Sequence, residues 1–331
     1  MTVMTVNRIF THPRLKLLLA LSRTPHLLID LATPAMAALL CLGRFPSPAV
    51  VLLGLITVYA GYTAVYALND LVDYRTDREK VRVGGYNDGE DFLDGVLVRH
   101  PLAKGVLTLP EGILWAAGWA VVAMVGAWLL NPICFYIFLA GGVLEVVYCR
   151  LWRVTPLRAV VNGVVKSLGA VAAVFAVDPH PSPIFLGVLL GLVFFWEIGG
   201  QNIPNDWTDI EEDRHFKAKT IPVKLGLARA ALMSQACLVA AYLLTFLLIW
   251  ISPLTFGAIH LLAVAGLGLW LLLLPVLLLA LILPPAGLVG WAHPITAAGW
   301  LFPGTGWYGL LGAISLAMLL AWRAPLKTAL L

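Results

Sequence analysis

Long apolar runs separated by short polar segments organise the chain from Arg23 onwards. Many of these runs are about 20 residues long, the length that an α-helix needs to cross the hydrocarbon core of a bilayer. Pro48 and Pro132 stand between runs, where helix breakers are expected. The pattern predicts an all-α polytopic membrane protein with about nine transmembrane helices, at 25–43, 48–68, 111–130, 132–149, 159–177, 182–204, 226–250, 259–283 and 305–322.

Composition supports this fold class. Of the 331 residues, 60% are hydrophobic and only 12% are charged, whereas a soluble domain carries about 25% charged residues. A membrane β-barrel would instead show short segments of alternating hydrophobicity. Segment 284–304 is apolar but interrupted by Pro and Gly, so it could be re-entrant or interfacial, and the count of helices could be eight or ten.

The basic residues predict the orientation of the chain. Most of the 22 lysines and arginines lie in the N-terminal segment 1–24 or after the second, fourth and sixth predicted helices. The positive-inside rule places these regions in the cytoplasm, so the net charge of +4 does not indicate a nucleic-acid partner. We therefore expect one integral-membrane domain over 1–331, in the inner (plasma) membrane, with cytoplasmic active-site loops at 70–110 and 205–225.

One polar motif occurs twice in this apolar chain. Residues 69–78 read NDLVDYRTDR and residues 205–214 read NDWTDIEEDR. Each copy follows an even-numbered predicted helix, and four helices separate equivalent points. The simplest architecture is two pseudo-repeated four-helix halves plus one extra helix, with the two motifs facing each other across a central axis.

The spacing within each motif groups oxygen-bearing side chains. Positions separated by four residues share one face of a helix, whereas Asp70, Asp206 and Glu212 lie to the side of these faces. Oxygen ligands without sulfur suit a hard cation, and Mg²⁺ usually takes one or two carboxylates together with substrate phosphates. The residues that share the two faces are Asn69, Asp73, Asp77, Asn205, Asp209 and Asp213.

Energetics also favour a bound polycation. One acidic residue at a bilayer centre costs about 2.5–3.5 kcal/mol on insertion scales, so the motifs must face a polar cavity rather than lipid. Neighbouring carboxylates repel each other there, and cations relieve that repulsion. Two such faces could clamp a diphosphate through Mg²⁺, and nearby basic residues could complete the phosphate site. These basic residues are Arg78, Lys80, Arg99, Lys104, Arg214 and Lys219.

Further polar residues lie inside the predicted helices. Lys166 is a candidate for phosphate or acceptor contact, because a lysine within a membrane helix is a functional hypothesis by default. Glu197 and Gln201 share a face just before the second motif, and Glu145 is comparable. These three residues could contact an acceptor or could equally form hydrogen bonds between helices.

The motifs resemble those of the UbiA superfamily of intramembrane prenyltransferases. The first motif, 69–77, reads NDLVDYRTD and the second, 209–213, reads DIEED. Residues 99–105, RHPLAKG, are similar to the family's RPLxxG loop, and residues 219–226, KTIPVKLG, are similar to its K(T/S)xxVxxG stretch. The resemblance covers most of the chain from about Arg23.

The resemblance implies nine helices around a central cavity, Mg²⁺ as cofactor and an isoprenyl diphosphate as donor. It implies Asn69, Asp73, Asp77, Asp209 and Asp213 as metal ligands. The predicted catalytic residues are the four aspartates of this set and Lys166, which was singled out from the sequence alone. The predicted substrate-binding residues are Arg23, Asn69, Arg78, Arg99, Lys104, Arg153, Asn205, Arg214 and Lys219.

The sequence departs from the family pattern in three places. The family's Tyr-x-x-x-Lys reads Tyr148-Cys149-Arg150-Leu151-Trp152 here, so Arg153 or Lys166 would have to supply the missing charge. His100 replaces an arginine of the loop, beside Arg99. Segment 79–98 is longer than in the simplest family members and could form a lid or change the acceptor.

We therefore expect Mg²⁺-dependent transfer of an isoprenyl group from a polyprenyl diphosphate to an acceptor, by ionisation of the allylic diphosphate. A small aromatic quinone precursor is the expected acceptor, because the KTIPVKLG stretch looks closest to the naphthoate and homogentisate types. One alternative is a terpene cyclase of the same family, which acts on the diphosphate alone. The other is a secondary transporter or divalent-cation carrier, which also uses internal repeats and membrane carboxylates.

Overall fold

The computed structural model describes residues 13–83, 97–257, 261–262 and 264–266, and every regular element in these ranges is helical. One π-helical turn spans Glu197–Asn202. The α-helices are α1 (Pro13–Leu21), α2 (Thr24–Asp30), α3 (Ala32–Leu42), α4 (Pro48–Arg82), α5 (Leu109–Leu130), α6 (Pro132–Arg150), α7 (Arg158–Val177), α8 (Pro183–Trp196), α9 (Ile203–Thr208), α10 (Ile210–His215), α11 (Ile221–Leu225) and α12 (Leu227–Ile251).

Prolines and capping residues set the starts of the long helices. Pro48 and Pro132 occupy the first helical turn of α4 and α6, where a missing backbone N–H costs nothing. Thr108 and Glu111 form a reciprocal capping box at the start of α5, which satisfies two backbone donors that the helix leaves unpaired. The prolines therefore start helices as predicted from the sequence.

Seven helical segments of the described chain are long and apolar enough to cross a membrane. α2 and α3 together supply the first, and α8, the π-helical turn and α9 supply most of the sixth. These seven correspond to the first seven predicted helices. The helices predicted at 259–283 and 305–322 and the segment 284–304 lie outside the described residues, apart from a few positions near 261–266.

The structure corrects two predicted boundaries near the acidic motifs. The second helix was expected to end at residue 68, with a loop from 70, but α4 continues without a break to Arg82. No Gly or Pro lies between 69 and 82, so nothing interrupts the helix. The loop predicted at 205–225 instead contains most of α9 and the short helices α10 and α11. Of the predicted lid, 84–96 lies outside the described residues.

Small residues allow the long helices to approach closely. Ala37 of α3, Ala170 of α7 and Leu248 of α12 are buried in one apolar cluster. In a membrane, where lipid is as apolar as leucine, such close packing is the main attraction between helices. α4 packs mainly on α5, and α7 contacts α3, α6 and α8, so these helices surround a common interior.

Gly199 and Gly200 provide a stability test of this packing. A Cβ on Gly199 would lie 2.6 Å from the backbone oxygen of Ser234 and 2.7 Å from Cβ of Cys237, whereas a Cβ on Gly200 would make contacts of 3.4 Å or longer. We expect Gly199→Ala to destabilise the protein by about 1–3 kcal/mol, because the backbone of α12 must move. Thermal unfolding in detergent should show a lower Tm for Gly199→Ala, and equal Tm values for the two alanine variants would contradict it.

Candidate functional site

The amide of Asn69, on α4, connects the first acidic motif to two other elements. Its Oδ1 accepts a hydrogen bond from Arg23 Nη2 at 3.1 Å. Its Nδ2 donates to Glu145 Oε1 at 2.7 Å and to Cys149 Sγ at 3.3 Å, both on α6. Asn69 is thus held in one orientation between the start of α2 and the end of α6.

Asp70 and Asp77 converge on His100, which comes from the loop before α5. The Nδ1 atom of His100 lies 3.5 Å from Asp70 Oδ1 and 3.2 Å from Asp77 Oδ2. Arg23 Nη2 also contacts Asp70 Oδ1, at 2.9 Å. Potential ligand atoms of Asp70, Asp77 and His100 all lie within 4.8 Å of one another, so this group could hold a cation.

Asp70 was expected to lie to the side of the helix face that carries Asp77, but the structure groups Asp70 with Asp77. Asp70 and Asp77 are seven residues apart, which is two turns of a helix and returns to the same face. The spacing was therefore visible in the sequence, but no local signal showed that His100 lies against this face. Burial alone would lower the pKa of His100, but the carboxylates of Asp70 and Asp77 outweigh it and raise this pKa above its ordinary value.

Two residues of this cluster adopt left-handed backbone conformations. Arg23 has φ 45° and His100 has φ 49°, values that are uncommon for residues other than glycine. Trp115 Nε1 donates to Ser22 Oγ at 2.7 Å and fixes the turn beside Arg23. Strained residues of this kind concentrate at functional sites, and here both direct their side chains to Asp70.

The second acidic motif has a different backbone from the first. α9 ends before Asp209 and α10 begins after it, although Asp213 N still donates to Asp209 O at 2.8 Å. Thr220 Oγ1 donates to Asp213 Oδ2 at 2.9 Å. Burial raises the pKa of Asp213 above its usual value although the hydrogen bond from Thr220 opposes this shift. The charges of Lys80 and Arg158 also oppose the shift in pKa, so the carboxylate is compensated in part.

Two basic side chains lie between the two motifs. Lys80 Nζ, at the end of α4, forms a 2.7 Å ion pair with Glu212 Oε1 of α10. Arg158, at the start of α7, is buried and interacts electrostatically with Asp73 of the first motif and Asp206 of the second. The duplicated motifs therefore meet across Lys80 and Arg158.

Arg158 also places a buried positive charge beside Tyr148. Its Nη2 donates a hydrogen bond to the hydroxyl of Tyr148, and its guanidinium lies 4.4 Å from the centre of that ring. Arg153 or Lys166 was expected to supply the charge that the family's Tyr-x-x-x-Lys pattern carries, and that role stays a prediction. Arg153 instead pairs with the exposed Glu79 at 2.9 Å. Neither suggested residue takes the position beside Tyr148, because the turn from α6 to α7 carries Arg158 back to it.

Lys166 forms a separate buried cluster. Its Nζ contacts Asp30 Oδ2 at 3.0 Å and donates to the hydroxyl of Tyr66 at 2.7 Å. The Tyr66 hydroxyl in turn donates to Asp30. Lys166 faces the central cavity described below, so its predicted role in substrate contact stays a prediction.

The remaining predicted substrate-binding residues divide by exposure. Exposed basic residues have local partners: Arg78 Nη1 donates to Tyr74 at 3.0 Å and Arg214 pairs with Glu211 at 2.7 Å. Arg99, Lys104 and Lys219 are half-buried in the two loops that border the motifs, and Asn205 is exposed at the cavity. Their roles stay predictions.

A cavity of about 500 Å³ extends from the acidic motifs into the apolar interior. On α4 it is lined from Val50 to Asn69, nineteen residues apart, which corresponds to roughly 28 Å along a helix. Most of its walls are apolar, and its polar end carries Asn69, Asn205 and Asp206. Asp73 and Asp77 follow one and two turns beyond Asn69. A long apolar chain with an anionic head group fits this shape.

Comparison with solved structures shows the same fold. A UbiA homologue from Aeropyrum pernix aligns with a TM-score of 0.65 at 21% identity, covering 88% of this chain and 97% of that one. A UbiA homologue from Archaeoglobus fulgidus, bound to DMAPP and Mg²⁺, aligns with a TM-score of 0.60 at 18% identity, covering 89% and 98%. At these identities the likeness establishes the fold alone.

Two kinds of sequence relatives were found. Digeranylgeranylglyceryl phosphate synthase from Thermococcus kodakarensis is 23% identical over 232 residues, which are 70% of this chain and 77% of that protein. A stretch of 28 residues is 75% identical to the conjugal transfer protein TraB of Agrobacterium fabrum, but it spans only 8% of this chain and 7% of TraB. The second match is too short to indicate a shared domain.

The sequence profile of the UbiA prenyltransferase family matches residues 31–283, most of the chain. This match confirms the resemblance and the prenyltransferase class predicted from the motifs. Mg²⁺ in the Archaeoglobus structure agrees with the predicted cofactor. With seven helices able to span a membrane in the described part of the chain, this is an integral membrane protein, and it belongs to the UbiA prenyltransferase family.

Proposed function

We propose that this protein transfers an isoprenyl group from a polyprenyl diphosphate to an acceptor in a Mg²⁺-dependent reaction. The observation that carries the proposal is the meeting of two acidic motifs across Lys80 and Arg158 at the polar end of a long apolar cavity. The acidic residues would hold the diphosphate through Mg²⁺, and the cavity would hold the isoprenyl tail.

The side chains at this position fit Mg²⁺. The donor set is dominated by carboxylate oxygens, the ligands that hard cations prefer. Asp206 Oδ2 is buried and has no hydrogen-bond partner within the described part of the chain, although such atoms are normally paired. Asp73, Asp77, Asp209 and Asp213 would share the ligation. When bound, Mg²⁺ would neutralise the diphosphate and make it a better leaving group.

The protein's own residues would assist the departure of the diphosphate. Arg158, Lys80 and Arg23 would place positive charge where negative charge develops as the bond from the allylic C1 to oxygen breaks. Asn69, fixed by Glu145, would orient the head group. The apolar walls would exclude water from the cationic C1, which forms its new bond with an acceptor atom that then releases a proton.

Two acceptor classes are candidates. The KTIPVKLG stretch at 219–226 supports a small aromatic acceptor, such as a quinone precursor. The relative named digeranylgeranylglyceryl phosphate synthase supports an acceptor of the glycerophosphate type. We also propose that the chain forms one membrane domain in the inner (plasma) membrane, with the motifs towards the cytoplasm, because the basic residues cluster around them.

The reaction can be tested with purified protein in detergent or nanodiscs. Release of diphosphate should be measured from geranyl, farnesyl and geranylgeranyl diphosphates, with and without each acceptor class, in Mg²⁺ and in excess EDTA. We expect release to need Mg²⁺ and to rise with the correct acceptor, with a prenylated product of the acceptor visible by mass spectrometry. The donor that works best would report the length of the tail site.

Two other outcomes would replace the proposal. Diphosphate release without acceptor, accompanied by a cyclic hydrocarbon, would identify a terpene cyclase. Saturable binding of Mg²⁺ or of a solute, with no diphosphate release from any donor, would favour the transporter class.

A further inference from the structure

The π-helical turn Glu197–Asn202 interrupts the sixth span at the cavity. π-helical turns inside α-helices are rare and frequent at functional sites. This one is fixed from behind by α12, because Ser234 Oγ donates to the backbone oxygen of Gly199 at 2.5 Å. The atoms of α12 also lie too close to Gly199 for any side chain at this position. The turn is therefore held in place by α12, and its residues Glu197, Gln201 and Asn202 line the cavity.

Two side-chain amides of this turn are buried, and each has a polar atom without a hydrogen-bond partner among the described residues. Gln201 is 4% exposed and Asn202 is 5% exposed. Gln201 Nε2 and Asn202 Oδ1 form no hydrogen bond with any residue that the structure describes, yet both residues line the cavity. Buried polar atoms are nearly always paired, because leaving them unpaired is costly. Their natural partner is a molecule that enters the cavity.

Glu197, on the same turn, behaves differently. Its Oε1 accepts a hydrogen bond from Asn162 Nδ2 at 2.8 Å, so a protein partner already holds this carboxylate. Glu197 is therefore a structural polar residue. The two amides instead offer the cavity one N–H donor, Gln201 Nε2, and one oxygen acceptor, Asn202 Oδ1. That pair matches a hydroxyl group, which can accept from Gln201 and donate to Asn202.

The charges around the cavity favour an uncharged partner. The basic residues that line it are already engaged: Arg23 with Asp70, Lys166 with Asp30, and His26 with a partner of its own. Glu145, Glu197 and Asp206 add carboxylates to the lining. A second phosphate or carboxylate near the π-helical turn would be repelled by these groups and would find no uncommitted cation within the described lining.

We propose that Gln201 and Asn202 form the acceptor subsite and bind an uncharged hydroxyl group, as in a phenol, a hydroquinone or an alcohol. The inference rests on the proposed prenyl transfer and narrows its acceptor. The subsite lies one helical turn before Asn205 and Asp206, at the polar end of the cavity where the diphosphate would bind. It therefore holds the acceptor beside the carbon that loses the diphosphate, and it disfavours a glycerophosphate acceptor.

The test compares the cavity variants Gln201→Met and Asn202→Leu with the control variant Gln235→Met. Gln235 is a half-buried residue of α12 that does not line the cavity. The probes are an uncharged naphthohydroquinone and a prenyl ether of glycerophosphate, each with geranylgeranyl diphosphate and Mg²⁺. We expect the wild type to prenylate the hydroquinone. Each cavity variant should raise the KM for the hydroquinone about tenfold, the effect of one lost hydrogen bond, and change the KM for the donor less than about twofold.

A stability measurement separates binding from a structural role. Gln201→Met removes an unpartnered buried amide, so its Tm without ligand should equal or exceed that of the wild type. The hydroquinone alone should raise the Tm of the wild type and of Gln235→Met, but not that of Gln201→Met. A lower Tm of Gln201→Met with an unchanged hydroquinone KM would show a structural role and overturn the subsite.

The outcomes also distinguish this inference from the proposed function. Turnover with the glycerophosphate ether but not with the hydroquinone would overturn the subsite and leave prenyl transfer intact. Absence of Mg²⁺-dependent diphosphate release with every donor and acceptor would overturn prenyl transfer itself, and the subsite with it.

Discussion

Asp73→Asn should lower kcat/KM for prenyl transfer by about 10²–10³-fold while leaving the fold intact. Asp73 lies on the face of α4 that also carries Asn69 and Asp77, and its carboxylate interacts electrostatically with Asp77 and Arg158. Removing one group that stabilises charge in a transition state typically has an effect of this size. The amide has the same shape but no charge, so it would bind Mg²⁺ less well. Initial rates at several Mg²⁺ concentrations would show whether more metal partly restores activity.

The same substitution should not destabilise the protein. The carboxylates of Asp73 and Asp77 repel each other, and an amide at the first position removes this repulsion, which acts when no cation is bound. The Tm in EDTA should therefore stay equal or rise. Glu79→Gln is the matched control, because Glu79 is an exposed carboxylate of the same helix. A loss of activity in Asp73→Asn no larger than that in Glu79→Gln would contradict the role of the first motif.

Arg158→Gln is expected to have the largest effect on stability. Arg158 is only 9% exposed, donates a hydrogen bond to Tyr148 and interacts electrostatically with Asp73 and Asp206. Breaking a buried charge network by removing one partner costs about 3–5 kcal/mol, because the remaining charges lose their compensation. Thermal unfolding in detergent should show a clearly lower Tm in EDTA. Mg²⁺ should recover part of this loss, because it can take over the compensation of the carboxylates.

Arg150→Gln serves as the control for Arg158. Arg150 ends α6 and is exposed, and exposed charges contribute little to stability. Arg158→Lys separates the effect of charge from that of geometry, because lysine keeps the positive charge but lacks the planar guanidinium that can bind several partners. If Arg158→Gln and Arg150→Gln had the same Tm with and without Mg²⁺, Arg158 would not join the two motifs.

Much of the fold follows from the sequence because lipid and backbone impose local rules. An apolar run of about 20 residues must form a helix to satisfy its backbone in a membrane, and prolines such as Pro48 and Pro132 mark where helices begin. Seven spans of the described chain were therefore predictable, six of them to within a few residues at both ends. The two acidic motifs were recognisable because their sequences are similar, and their carboxylates indicated a shared cation.

The length of α4 and the break at Asp209 were harder to predict. A polar helix that leaves the membrane has no apolar run to mark its end, so the prediction stopped at residue 68 while the helix continues to Arg82. The π-helical turn at Glu197–Asn202 has no pattern of its own in the sequence, because it depends on the approach of α12 to Gly199.

The spans and the acidic motifs could be read from the sequence because each is a run of neighbouring residues, and the family could be read from the motifs taken together. Which charges meet depends on how distant segments pack. Arg23 is 47 positions from Asp70, yet their side chains lie 2.9 Å apart. The contact of His100 with Asp77 and the place of Arg158 beside Tyr148 likewise depend on loops that return to a helix end. Such contacts follow from the packing of several helices at once, which no local pattern records.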